Sequence, residues 1–179
     1  MFPQTEDMAH QPEDEKLDLE EKVMDVEEEL EDKVHEMGRK ATFDEVTEEI
    51  IRINPDSTRD LTVERLRRGV NVNLNDPSYV IGNLMWQNLQ IRNIPAIIGD
   101  LTIQGTLCLT GNGLMSIPEG FGSLTVWDNL MLDLNPFTVL PKDFGSLTVG
   151  NALYIDRKFH ERCQSMGFRI RQLGVNGWQ

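Results

Sequence analysis

The chain has 179 residues, 39% of them hydrophobic, which suits one folded domain with an appendage. Its formal charge of −13 is unevenly placed: residues 1–40 carry fifteen acids against five bases, and the other 139 carry fifteen against twelve. An acidic surface repels phosphate, so nucleic acid is excluded as an expected partner and a protein with a basic surface is favoured; no run approaches the roughly eighteen apolar residues of a membrane span.

The chain opens Met-Phe-Pro-Gln-Thr-Glu-Asp, without the basic start or apolar run of a targeting signal. Its two cysteines, Cys108 and Cys163, make neither a disulfide framework nor a metal-ligand spacing. The expected location is therefore intracellular and cytoplasmic, with incorporation into a larger particle left open. Residues 1–15 are polar and charged and read as a disordered acidic tail. Residues 16–41 read as an acidic amphipathic, coiled-coil-like helix, because Leu19, Val23, Val26, Leu30 and Met37 follow a 4-3-4-7 spacing interrupted by Lys33. Three heptads are marginal alone. Three alternatives stay open for this helix: it packs on a partner or a second copy through residues 17–40, stays solvated, or docks on its own domain.

Residues 42–79 read as an N-terminal cap. Thr42-Phe-Asp-Glu45 has the form of a capping box opening a helix to about Ile53, with Val46, Ile50 and Ile53 on its apolar face. Asn54-Pro55-Asp56 ends it. Thr62 caps a short helix, Val63 to Arg68, stopped at Gly69, and Val70 to Leu74 alternates as a strand.

Residues 80–163 repeat with a period of 23. Three units run without insertion from Pro95 to Ile117, Pro118 to Leu140 and Pro141 to Cys163. Each opens on proline, then carries an apolar plug (Ile98, Phe121, Phe144), a glycine (Gly99, Gly122, Gly145) and Leu-Thr-Ile/Val. The pair Leu107/Leu109 recurs as Leu130/Leu132 and Leu153/Ile155, and Asn112 and Asn135 follow on the next turn. Val80, Leu84, Trp86, Ile91 and Ile94 fit a degenerate unit upstream, giving about four coils. One unit cannot bury its own apolar residues, so the pattern implies stacking into leucine ladders and a parallel sheet. Asn112 and Asn135 are placed to bond backbone groups left unpaired at the turn. Residues 164–179 read as a C-terminal cap: a helix from Arg157 to Met166 ends at Gly167, and Phe168-Arg-Ile-Arg alternates after it.

The units resemble the leucine-rich repeat family, whose motif reads LxxLxLxxNxL, at Leu107, Leu109, Asn112 and Leu114 and again at Leu130, Leu132, Asn135 and Phe137. They depart from it at the first motif leucine, where Gln104, Trp127 and Gly150 stand, and the apolar residue sits one place earlier at Ile103, Val126 and Val149. Two short strands per coil, joined at a corner such as Gly150-Asn151, account for the departure. This Leu-Thr-Val variant is similar to repeats of protist, large-virus and phage proteins. The fold class expected is an α/β repeat solenoid, a short leucine-rich-repeat-like stack with a parallel sheet, a helical N-terminal cap and the acidic helix.

No set of residues with catalytic spacing stands out along the sequence. His10, His35 and His160 lie in three different segments, and His160 with Cys163 is a thiol–base spacing that ordinary helix composition explains as well. Gly111-Asn-Gly113 and Gly120-Phe-Gly122 fall at repeat turns, not in phosphate loops. No enzyme, cofactor or metal site is expected. Met85, Cys108, Met131 and Tyr154 alternate with the core leucines and so point away from them, between the rows Asn83-Thr106-Asn129-Ala152 and Gln87-Thr110-Asp133-Asp156. Read as an exposed apolar stripe, they mark a partner-binding face that Asp133 and Asp156 border; the alternative is that a cap or the N-terminal helix covers the stripe. The resemblance implies binding on this same face. The expected function is a protein-binding or scaffold module, with the acidic helix for tethering or oligomerisation; the alternative is a structural subunit of a large multiprotein assembly, for example a capsid or organellar complex.

Overall fold

A computed structural model describes residues 38–57 and 61–171. The acidic tail and the coiled-coil-like helix expected before residue 38, and the end of the C-terminal cap from residue 172, lie outside the described residues. The chain divides into two compact units, Met1–Arg39 and Lys40–Gln179; the architecture below is that of the second.

Two helices open this unit. Helix α1 (Phe43–Ile53) starts at the capping box read from the sequence. The Glu45 amide donates to the Thr42 hydroxyl at 3.2 Å, and the Thr42 amide donates to the Glu45 carboxylate at 2.7 Å. Its buried face is Phe43, Val46, Thr47 and Ile50, whereas the sequence pointed to Val46, Ile50 and Ile53. The difference is a rotation toward the first turn, where Phe43 stacks on Trp86 with ring centroids 6.1 Å apart. Helix α2 (Val63–Leu66) is capped by Thr62, and the Leu66 carbonyl accepts the Trp86 indole N–H at 2.9 Å. Arg67, just past α2, pairs with Asp44 of α1.

Ten short strands follow: β1 (Asn71–Asn73), β2 (Asp76–Ile81), β3 (Leu84–Met85), β4 (Thr102–Ile103), β5 (Leu107–Cys108), β6 (Thr125–Val126), β7 (Leu130–Met131), β8 (Thr148–Val149), β9 (Leu153–Tyr154) and β10 (Ile170–Arg171). Among the described residues they form two five-stranded sheets, ordered β1-β2-β4-β6-β8 and β10-β9-β7-β5-β3. Of the described pairs, β1 with β2 alone is antiparallel. The result is an architecture of short, mostly parallel strands with few helices, compatible with an α/β fold. The expected strand from Val70 to Leu74 is shorter than read: Leu74 sits in the turn between β1 and β2 and is 98% exposed, because the chain reverses there to pair antiparallel.

The 23-residue spacing is the pairing register. Tyr79 pairs with Thr102, Thr102 with Thr125 and Thr125 with Thr148 in the first sheet; Leu84 pairs with Leu107, Leu107 with Leu130 and Leu130 with Leu153 in the second. Each unit supplies one strand to each sheet. Between the sheets, Leu107, Leu130, Leu153, Leu109, Leu132, Ile155, Ile103 and Val126 are buried in one cluster that also takes in Phe43, Val46 and Ile50 of α1. A 3₁₀ turn follows each proline and stacks Ile98, Phe121 and Phe144, the last two as parallel rings 6.3 Å apart. The glycine after the plug permits that stacking: a Cβ on Gly99 or Gly122 would overlap the carbonyl oxygen of Gly120 or Asp143 in the following unit. At the far end, Arg157–Phe159 forms a 3₁₀ turn that leads into helix α3 (His160–Ser165); Gly167 follows with φ of 92°, and β10 pairs with β9. No helix among the described residues is long and apolar enough to cross a membrane.

Candidate partner-binding face

The outer side of the second sheet is built by strand alternation. Leu84, Leu107, Leu130 and Leu153 turn into the core, so their neighbours Met85, Cys108, Met131 and Tyr154 form one row on the opposite side. Neither Cys108 nor Met131 belongs to the core cluster, in keeping with that orientation. Their exposure differs from the expectation. Met85 is 45% exposed and Tyr154 half-buried, whereas Cys108 and Met131 retain only 2% and 6% of their surface. Strand spacing supplies a physical reason. Neighbouring strands lie about 4.8 Å apart, so a side chain inside the row has a neighbour on each side. Met85, on the edge strand β3, has a row neighbour on one side alone.

The flanking polar row is also less exposed than its composition suggests. Thr110 and Asp133 are buried, and the Thr110 hydroxyl donates to the Asp133 carboxylate at 3.0 Å. The Cys108 thiol donates to the Thr110 hydroxyl at 3.5 Å. Burial pushes the Asp133 carboxyl above its ordinary value, the Thr110 hydrogen bond opposes this, and the neighbouring Asp156 charge adds to it. Asp156 keeps more surface, accepts the Leu134 amide at 3.0 Å and lies 3.9 Å from the Lys158 ammonium. On the other flank, the Thr106 hydroxyl donates to Asp128 at 2.9 Å and the Asn151 amide donates to the same carboxylate at 3.1 Å. The face is thus an apolar row held between two hydrogen-bonded polar rows. Sequence reasoning missed these cross-unit polar links, although Thr106 and Asp128, and Thr110 and Asp133, stand about one period apart.

The raised Asp133 pKa makes a pH-dependent prediction. A carboxyl whose folded-state pKa lies above its unfolded value binds its proton more tightly when folded, so stability falls as pH rises from about 4 through the folded pKa. Asp133→Asn keeps an acceptor for Thr110 and removes the buried charge. It should raise the melting temperature at pH 7 and flatten the loss of stability between weakly acidic and neutral pH. Equal melting temperatures across that range for both proteins would show that the buried charge costs nothing.

The remaining candidate chemistry resolves into structure. Cys163 is fully buried, and burial raises its thiol to about 11, so it is neither thiolate nor accessible at neutral pH. A ring nitrogen, Nε2, of His160 lies 2.9 Å from the Ile155 carbonyl oxygen, a link within the last unit. Among the described residues no three His, Cys, Asp or Glu side chains converge as a metal site would require. No family model matches the chain, and no curated protein matches it.

Proposed function

We propose that the chain is a non-enzymatic protein-binding or scaffold module, a short leucine-rich-repeat-type solenoid that meets its partner on the outer side of the second sheet. The observation that carries this reading is the row Met85-Cys108-Met131-Tyr154. It is apolar, its middle residues Cys108 and Met131 lie outside the core cluster, and beside it Thr106 is tied to Asp128 and Thr110 to Asp133. A surface pre-ordered in this way loses little conformational freedom on binding. The ends of the row, exposed Met85 and half-buried Tyr154, are its contact points, with Asp156 beside Tyr154; Cys108 and Met131 form the floor and Asp133 supports it. The acidity of residues 1–40 favours a partner with a basic surface and suits tethering or oligomerisation. The alternative of an assembly subunit draws support from apolar side chains exposed away from this face, Leu74, Met115 and Val139, which neighbours in an assembly would cover.

Burial of Met131 decides which substitution tests the proposal. Met131→Glu would bury a charge and destabilise the fold, so a loss of binding there would be ambiguous. Met85→Glu alters a side chain that is 45% exposed and should leave the melting temperature within about 2 °C, since surface changes stay near ±0.5 kcal/mol. Affinity capture with Met85→Glu should lose the partner that the unaltered chain recovers, while Met115→Glu, at an exposed site away from this row, should retain it. Undiminished recovery with Met85→Glu would remove this face from consideration.

A further inference from the structure

The two sheets end differently. In the second sheet β9 is covered by β10, with Ile170 paired to Leu153. That step spans 17 residues where every other step in the stack spans 23, so the last turn is six residues short. The missing part is the strand that would continue the first sheet. Counted back from β10 by the five residues that separate the two strands of each unit, it would fall at residues 165–166, where the chain instead leaves helix α3 and turns at Gly167. Among the described residues strand β8 is therefore the end of the first sheet. Its inward amides are used: Thr148 N–H donates to the Leu124 carbonyl at 3.2 Å and Gly150 N–H to the Val126 carbonyl at 2.9 Å. By alternation, the Val149 N–H and the Leu147 and Val149 carbonyls face the other way, and no described residue pairs with them. Beside them lies a groove of about 470 Å³, lined by Leu147, Val149 and Gly150 on one wall and Met166, Phe168 and Arg169 on the other.

We propose that this groove is a second binding site, which takes an extended segment of a partner protein as one further parallel strand. The preceding strands specify the segment. Ile103, Val126 and Val149 are β-branched residues turned inward, and Thr102, Thr125 and Thr148 turn outward beside them. A fitting segment repeats that pattern, with a β-branched residue packing on Val149. Charge supplies the remaining requirement. Arg169 is exposed in the groove and has no ion-pair partner among the described residues, and the groove has no acidic lining residue. A carboxylate two places after the β-branched residue suits it. Asp128 holds that place relative to Val126 and binds Asn151, another groove residue. The occupant is thus an extended segment of Thr-Val-x-Asp type, held by main-chain hydrogen bonds and one ion pair. Strand β1, the opposite end of this sheet, is antiparallel to its neighbour and does not continue the stack.

The probe is a synthetic peptide, Ser-Leu-Thr-Val-Trp-Asp-Asn, copied from residues 123–129 and titrated into the isotope-labelled full chain. Amide shifts should concentrate at residues 147–151 and 166–169, and hydrogen exchange at Val149 should slow on saturation. A peptide with proline in place of its tryptophan lacks the amide aimed at the Val149 carbonyl and should not bind. Val149→Pro removes the outward N–H together with some packing of the Val149 side chain on the core, so it should abolish binding and lower the melting temperature while unfolding stays cooperative. Arg169→Glu should weaken binding about fivefold at low salt, and Arg169→Lys should restore most of it. Absence of shifts at millimolar peptide, shifts mapping elsewhere, or equal affinity for the proline peptide would overturn the proposal. Concentration-dependent shifts at 147–151 without peptide would overturn it too, by assigning the edge to a second copy of the chain.

Discussion

Leu132→Asp should abolish cooperative folding of the stack. Leu132 is fully buried, and its counterparts one period away on either side, Leu109 and Ile155, are buried with it in the core between the sheets. An aspartate there would be fully buried among apolar side chains. Burying an unpaired carboxylate costs several kcal/mol, or forces its protonation at a similar cost, and the missing leucine leaves a cavity as well. Domains of this size are stable by about 5–15 kcal/mol in total, so the change consumes most of what is available. Thermal denaturation followed by circular dichroism should show no cooperative transition, or one lowered by more than about 15 °C. A sharp transition at the unaltered temperature would mean that Leu132 does not face the core.

The second large effect is expected at Asn135. Its side-chain oxygen accepts the amides of Asn112 and Leu114 at 3.0 and 3.1 Å, in the unit before its own. Its side-chain nitrogen lies 2.9 Å from the carbonyls of both Leu109 and Leu132. Asn112 does the same one unit earlier, accepting from Leu89 and Ile91 and donating to Trp86 and Leu109. Each asparagine thus closes the turn of one unit and fastens it to the previous one. Asn135→Ala strands at least three buried backbone groups, each worth about 1–3 kcal/mol when left unpaired. A loss of about 3–5 kcal/mol is expected, lowering the melting temperature by about 10 °C or more. Asn135→Asp retains the acceptor and loses both donors, so it should not rescue stability. A decrease of under about 2 °C for Asn135→Ala would show that the turn finds other partners.

The sequence states the ladders because one residue type does one job at one place. Leucine at 107, 130 and 153 serves no purpose but packing, and asparagine at 112 and 135 is the side chain able to give two hydrogen bonds and accept two. Where the period fails, at Lys158, the structure shows another solution: the ammonium donates to the Phe137 carbonyl at 2.6 Å and lies 5.0 Å from the centre of the Phe159 ring. What the sequence states poorly is exposure. Alternation puts Met131 on the outer side correctly, yet the closeness of neighbouring strands removes it from solvent. Asp133 reads as a surface charge because charge is usually solvated; its burial depends on Thr110, 23 residues earlier, and so on a contact that residue type alone does not announce. The short last turn is illegible for the same reason, since helix α3 and Gly167 look like an ordinary cap until the register of β10 is known. Leu134 is a further case. It adopts a left-handed φ of 58° at the place where Asn88 and Gly111 do so at 55° and 68°, a conformation its own side chain disfavours and the turn imposes.

The 23-residue register, kept at every parallel step but the last, also bears on how the chain reaches its folded state. Partners in the parallel sheets are separated by about one-eighth of the chain length, which is short for a protein whose strands are mostly parallel. Closing such loops costs little entropy, and every closure but that of β10 on β9 is the same size. Nucleation needs one pair of adjacent units, and the central pair, which carries Asn112 and Asn135 and the stacked plugs Ile98 and Phe121, has the most to gain from forming first. Growth then proceeds outward by repetition of one step. Such a chain collects few distant, mispaired contacts on its way, and it unravels from its ends before its middle gives way.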